Sequence, residues 1–431
     1  MNRQFTFEAK QKTFIIIMIV IGLASMGVTY FTDDELHTRF WTNFLHNTVF
    51  FTGISFMALF FLAASSIAYS GWQTVIKRLL EAYSLFLIVG LLLLGIIIGG
   101  LWFNYHSLYH WNDLEAVKND EILTGKSSFL NRNWYTFGTI IIVGTWYLFA
   151  VKLRSLSIQE DESHEVTSTQ FKSYKIFSAA FLPIAGFSSA AMIWQWLMSL
   201  NAHWYSTMYA WYVTASFFVA MLAMIILMLM YFQSKGMFKF VTVEHFHDLG
   251  KLLFAFSIFW TYLWFSQFML IWYANVGEET IYFKERMDNY PVLFFGNIII
   301  NFVLVFLVLL RNDTKRKFGT LGFVAIIALV GHWIDFFQII KPSALITAKE
   351  HLEHSAHSTH EAAATAIEHT AEHAETASNF MMGFTIPGLL EIGTLLGFLG
   401  LFLYIVFSQL SKASTLPKND PYLTESLHHH V

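Results

Sequence analysis

Two carboxylates interrupt long apolar stretches of the sequence. Asp335 closes Gly331-His332-Trp333-Ile334-Asp335, and Glu391 follows Pro387-Gly388 by a few residues. An acid at the centre of a membrane helix costs roughly 2.5–3.5 kcal/mol on insertion scales, so such a group faces protein or a water-filled cavity. His332 and Asp335 stand three residues apart, which puts them on one face of a helix. Counted back from Lys341, Asp335 sits about 9 Å inside the outer end of its run. Glu391 falls near the middle of its own run, where Pro387-Gly388 loosens a helix. His332, Asp335 and Glu391 are therefore candidates for one outward proton relay. The alternative is a set of buried acids that tie helices together by hydrogen bonds.

His46, His106 and His110 fall near the same outer surface. They are candidates for a polar outer cavity or a quinol contact, or else for interfacial histidines hydrogen-bonded among aromatic rings. On the inner side, His245, His247 and Asp248 mix both charge signs at the start of an apolar run. They suit a proton inlet or a docking point, or simply a solvated helix start. Glu81 follows Lys77 by four residues, a spacing that suits a structural ion pair. A transmembrane b-type haem needs two axial ligands inside helices, and His332 is the one histidine well inside a run. The sequence has 0 cysteines, which excludes disulfides, thiolate-held iron–sulfur clusters and covalent haem. No metal or redox cofactor is therefore expected on this chain. The histidines at 351, 354, 357 and 360 recur every three residues, which walks around a helix and suits solvation better than a metal site.

The elements that position these residues follow from composition. Of 431 residues, 55% are hydrophobic and 13% charged, with a mean hydropathy of +0.50. That balance fits a chain solvated by lipid. Apolar runs occupy 14–30, 44–69, 79–103, 134–151, 177–200, 209–232, 249–274, 291–310, 318–340 and 380–407. Each is long enough to cross a hydrocarbon core of roughly 30 Å at about 1.5 Å per residue. A spanning segment must satisfy its own backbone, so the runs predict an all-α integral membrane fold of ten helices. With the N-terminus inside, 18 of the 26 lysines and arginines fall on the inner side, counting Lys251 at the inner end of the seventh run, and 8 in outer loops, none being left deep within a run. The bias predicts cytoplasmic termini. The first run is long enough to span and no small-residue cleavage site follows it, so it is expected to remain as a helix. The stretch 348–378, rich in Ala, Glu, His and Thr, is expected to be an exposed outer loop. A net charge of −4, spread among loops, suggests no nucleic-acid partner.

Several stretches resemble one family. Trp196-Leu197-Met198-Ser199-Leu200-Asn201-Ala202-His203-Trp204-Tyr205 closes the fifth run. His247-Asp248-Leu249-Gly250-Lys251-Leu252-Leu253-Phe254 opens the seventh, which continues through Phe259-Trp260 and Phe265-Ser266-Gln267-Phe268-Met269. These are similar to the second polysulfide-reductase-type (NrfD-like) membrane subunit of bacterial alternative complex III, a quinol:cytochrome c or copper-protein oxidoreductase. The resemblance implies two four-helix bundles, spans two to five and six to nine, flanked by the first and last helices. It implies the bacterial inner membrane as location and quinol or quinone as ligand. It further implies an iron–sulfur subunit, haem c subunits and a paralogous NrfD-like subunit as partners, with a terminal oxidase downstream. Electrons would pass through those partners while this chain contacts quinol or conducts protons. A stand-alone proton-coupled transporter and a purely structural scaffold are the other readings the residues leave open.

Overall fold

The computed structural model describes residues 4–33, 36–162, 169–360 and 385–430. Ten helices are long and apolar enough to cross a membrane. They are α1 (Ala9–Phe31), α2 (Thr38–Ile67), α3 (Trp72–Trp102), α4 (Arg132–Glu162), α5 (Thr169–Leu200), α6 (Thr207–Ser234), α7 (Val243–Ala274), α8 (Pro291–Leu309), α9 and α10 (Leu389–Leu410). The apolar part of α9 is Phe318–Ile346, and the helix continues to His360. No strand occurs among the described residues; one isolated bridge joins Gln4 to Ser414. That bridge, with the bond from Gln4 Nε2 to the Ser411 carbonyl at 2.9 Å, ties both ends of the chain to one face of the bundle.

Two four-helix groups form the body. In the first, α2 packs on α3 and α5, and α4 joins α3 to α5; in the second, α6 packs on α7 and α9, and α8 joins α7 to α9. The groups meet where α2 lies against α6 and α9. Burial marks this centre: 78% of the apolar window of α2 and 83% of that of α6 is buried, against 22% for α1. Some hydroxyls inside these helices bond back to the preceding turn, as Ser55 does to the Phe51 carbonyl at 2.8 Å, whereas those of Thr48 and Thr52 on α2 are buried without a hydrogen-bond partner among the described residues.

The outermost helix is held by backbone contact. A Cβ placed on Gly22 of α1 would stand 2.2 Å from the Gly397 Cα of α10. On α10, Gly393 and Gly397 are four residues apart and Gly400 follows, and together they make a flat stripe for close approach.

Four expectations are corrected. Residues with side-chain charge do lie within the membrane-length helices: Lys341 continues α9 and is fully buried, and Lys77 and Arg78 are buried in α3, which begins at Trp72 rather than at 79. Glu81 bonds Arg78 at 2.8 Å, while Lys77 turns to Asp420 at 2.8 Å. The tenth helix starts at Leu389, with Gly388 as its cap in extended backbone, so Glu391 stands in its first turn rather than near its middle. The expected loop 348–378 is helical as far as His360; the rest of it, and the side chains of the histidine tract, lie outside the described residues.

Candidate functional site

Asp335 lies in the second helix group, surrounded by α6, α7 and α8. Its Oδ1 accepts hydrogen bonds from the Tyr212 hydroxyl and from Asn297 Nδ2 at 2.7 Å. Its Oδ2 accepts from Ser216 Oγ at 2.9 Å and from Trp260 Nε1 at 3.1 Å. Both Asp335 and His332 are fully buried. No cation meets the carboxylate among the described residues. Four neutral donors from three other helices stand in for water around it, as a buried carboxylate requires. Ser216 Oγ also lies 2.8 Å from His332 Nδ1, so one hydroxyl bridges the two residues that the sequence places on one helical face. The other ring nitrogen, His332 Nε2, is buried without a hydrogen-bond partner.

The local backbone is adapted to this cluster. Within α8, residues Ile299–Leu304 form a π-helical turn, a feature that recurs at functional sites. It carries Asn301, whose Nδ2 donates to Asn297 Oδ1 at 2.6 Å and so orients the amide that donates to Asp335. Asn301 Oδ1 lies 2.2 Å from where a Cβ of residue 331 would be, so only glycine fits at Gly331, one turn before Asp335.

Glu391 belongs to a different cluster. Its Oε1 accepts from Arg39 Nε at 2.8 Å and Asn43 Nδ2 at 3.1 Å, and its Oε2 from Arg39 Nη2 at 3.0 Å and the Gly388 backbone N–H at 2.9 Å. Lys341 donates to Thr42 Oγ1 at 2.8 Å beside it. On α9, Trp333, Phe337 and Lys341 recur every four residues and face α2, whereas His332 and Asp335 face α6 to α8. Between the clusters stand the amides of Asn43 and Asn47, the Trp333 indole, which donates to Asn47 Oδ1 at 3.1 Å, and the His46 ring, which stacks on Trp333. The hydrogen-bond partners of Glu391 (Arg39, Asn43 and Gly388) and those of Asp335 (Tyr212, Ser216, Trp260 and Asn297) share no residue. The structure thus brings His332 and Asp335 together and leaves Glu391 apart.

The outer histidines take separate places. His46 stacks on Trp333 and meets its carbonyl at 3.0 Å through Nε2. His106 bonds the Ile97 carbonyl at 3.1 Å and packs on Trp41, in space left by Gly100. Burial lowers the His106 pKa to about 4. The His110 ring lies 5.8 Å from that of His203. At the inner side of the expected topology, His245 Nδ1 caps α7 through the Thr242 backbone N–H at 3.0 Å. His247 lies 3.8 Å from Glu244, and Asp248 meets Lys251 at 2.5 Å and His429 at 2.6 Å. This helix start is buried under the chain's own C-terminal segment.

Tyr212, Ser216, Asn297, Asn301 and Lys341 were not foreseen as site residues. The pair Asn297 and Asn301, four apart in an apolar run, was the available signal; a serine or tyrosine in a membrane helix is too common to be one.

The fold and burial pattern define an all-α, multi-pass membrane protein with a carboxylate buried among neutral donors in one of its helix groups. No protein-family model matches the chain, and no curated protein matches it.

Proposed function

We propose that this chain is the membrane subunit of a respiratory quinol-oxidising complex, and that it moves protons through Asp335 while partner subunits carry the electrons. The observation that carries the reading is the Ser216 hydroxyl shared by Asp335 and His332. The resemblance of the Trp196–Tyr205 and His247–Phe254 stretches to NrfD-like subunits of alternative complex III supplies the quinol and the partners.

Hydrogen-bond counting defines two proton states. With Asp335 ionised, Ser216 donates to Oδ2, and its oxygen accepts from a protonated His332 Nδ1. A proton arriving on the bare Nε2 releases the Nδ1 proton to Ser216, whose own hydrogen passes to Oδ2. Asp335 is then neutral, Ser216 donates to Nδ1, and the ring keeps its proton on Nε2. One proton has entered and one carboxylate has been neutralised. Tyr212, Trp260 and Asn297 hold the carboxylate oxygens in place through the change.

Purification of the chain from its host in mild detergent tests the reading. Co-purifying iron–sulfur and haem c subunits with a haem Soret band are expected. A chain that purifies alone, without haem, and drives solute uptake with protons in vesicles is a transporter, and the proposal fails.

A further inference from the structure

At the face that carries both termini, α3, α4 and α10 enclose a cleft of about 480 Å³. Its walls are apolar, formed by Ile88, Val89, Val151, Ile158 and Ile405, and its end is polar, formed by Arg154, Ser155, Gln159 and Gln409. Val151 and Gln159 are exposed, so the cleft opens on the outside of the helix bundle, where lipid surrounds a membrane protein. Arg154 stands eight residues before the end of α4, about 12 Å along the axis.

Arg154 differs from the two buried cations nearest to it in sequence and fold on this face, Lys77 and Arg78. Lys77 meets Asp420 at 2.8 Å, and Arg78 meets Glu81 at 2.8 Å and Asp161 at 2.5 Å. Arg154, only 7% exposed, meets no carboxylate among the described residues. Its guanidinium makes one hydrogen bond there, from Nη2 to the Gln409 carbonyl at 2.5 Å, which caps the last turn of α10. A guanidinium has five N–H donors, of which one neutral carbonyl takes a single one, and the Glu81 carboxylate that acts on its charge is bonded instead to Arg78.

We propose that this cleft binds an anionic glycerophospholipid of the adjoining leaflet, its phosphodiester on Arg154 and an acyl chain along Val89, Val151 and Ile405. Arg154 offers the planar fork that suits two phosphate oxygens, and Gln159 at the lip reaches the headgroup. A basic pocket between membrane helices at one leaflet is the geometry that captures such headgroups. The walls carry no Asp, Glu or His, so the cleft has no base to take the hydroxyl protons of a quinol. The site goes beyond the proposed function and stands on different residues from it.

The test uses the full chain, with whatever subunits accompany it, in mild detergent. Thermal unfolding is followed with added phosphatidylglycerol, phosphatidylcholine or inorganic phosphate, and retained phospholipid is counted by mass spectrometry. Phosphatidylglycerol is expected to raise the midpoint and the other two to leave it unchanged. Arg154→Gln weakens the phosphatidylglycerol response roughly tenfold, the loss of one charge-assisted contact, and Arg154→Lys keeps part of it. Val151→Trp, at the exposed lip, obstructs the acyl channel without touching the buried charge, and also lowers retention. Equal responses to the two lipids, a response to phosphate alone, or undiminished retention in Val151→Trp each overturn the lipid site, whether or not Arg154→Gln folds.

Discussion

The Arg39 guanidinium meets the Glu391 carboxylate edge to edge, Nε to Oε1 at 2.8 Å and Nη2 to Oε2 at 3.0 Å. Glu391 also receives the Gly388 N–H at 2.9 Å, so one side chain both caps α10 and fastens it to the start of α2. Removing the charge takes the Glu391 carboxylate away from Arg39, its ion-pair partner, and from nearby Lys341. Glu391→Gln is expected to destabilise the protein by about 3 kcal/mol, the low end for breaking a buried pair because Arg39 keeps some exposure. A thermal unfolding midpoint within a degree of the wild type would show that this pair carries no such load.

The glycine stripe predicts how α1 is held. A Cβ on Gly397 would stand 2.5 Å from the Gly22 Cα, and backbone cannot move aside as a flexible side chain can. Gly397→Leu is expected to push α1 off α10 at a cost of about 1–3 kcal/mol. Limited proteolysis near residues 31–38 should then release α1 faster than in the wild type, while the rest of the bundle keeps its helical circular dichroism.

Much of the fold was legible because lipid leaves few choices: an apolar run of sufficient length must be a helix, and all ten were readable. The ends were less so. Lys341 falls just beyond an apolar run and was assigned to a loop, but α9 does not stop where apolarity stops. Glu391 looked central because the run begins at 380, whereas Pro387 and the extended Gly388 set the helix start later. Asp335 and His332 were legible from cost and spacing. Their partners were not, since Ser216 lies 116 residues from His332 and Arg39 lies 352 from Glu391, distances at which sequence alone carries no pairing signal.

His106 makes stability depend on pH. Its pKa in the folded chain is lowered to about 4 from 6.5 by burial, so the folded state keeps the ring neutral where the unfolded chain protonates it. Its contribution is therefore complete above about pH 6.5 and is lost as pH falls toward 4, by about 3 kcal/mol in all. His106→Gln places an amide near the Ile97 carbonyl and does not titrate. Unfolding midpoints measured from pH 7.5 to 4.5 should fall more steeply for the wild type than for this variant; parallel curves would refute the assignment.

Ser216→Ala separates a proton path from a merely structural hydrogen bond. The substitution leaves Asp335 three donors, from Tyr212, Asn297 and Trp260, and leaves His332 Nδ1 without its partner. As a structural loss it costs about 1 kcal/mol of stability, with catalysis unaffected. As a path it removes the one atom that passes a proton between the imidazole and the carboxylate, a loss that neighbouring donors do not replace. The quinol-oxidising complex proposed above should then assemble with normal haem content yet show slower quinol turnover and an altered count of protons released per electron. Ser216→Thr restores a hydroxyl at the same Cβ and should recover both readings, whereas Asp335→Asn should recover neither. It keeps a polar group of the same shape, but its amide nitrogen faces donors from either Trp260 and Ser216 or Tyr212 and Asn297, and it cannot titrate. If Ser216→Ala and Asp335→Asn both turn over quinol at the wild-type rate with the wild-type proton count, the cluster is a helix tie and the protons travel elsewhere.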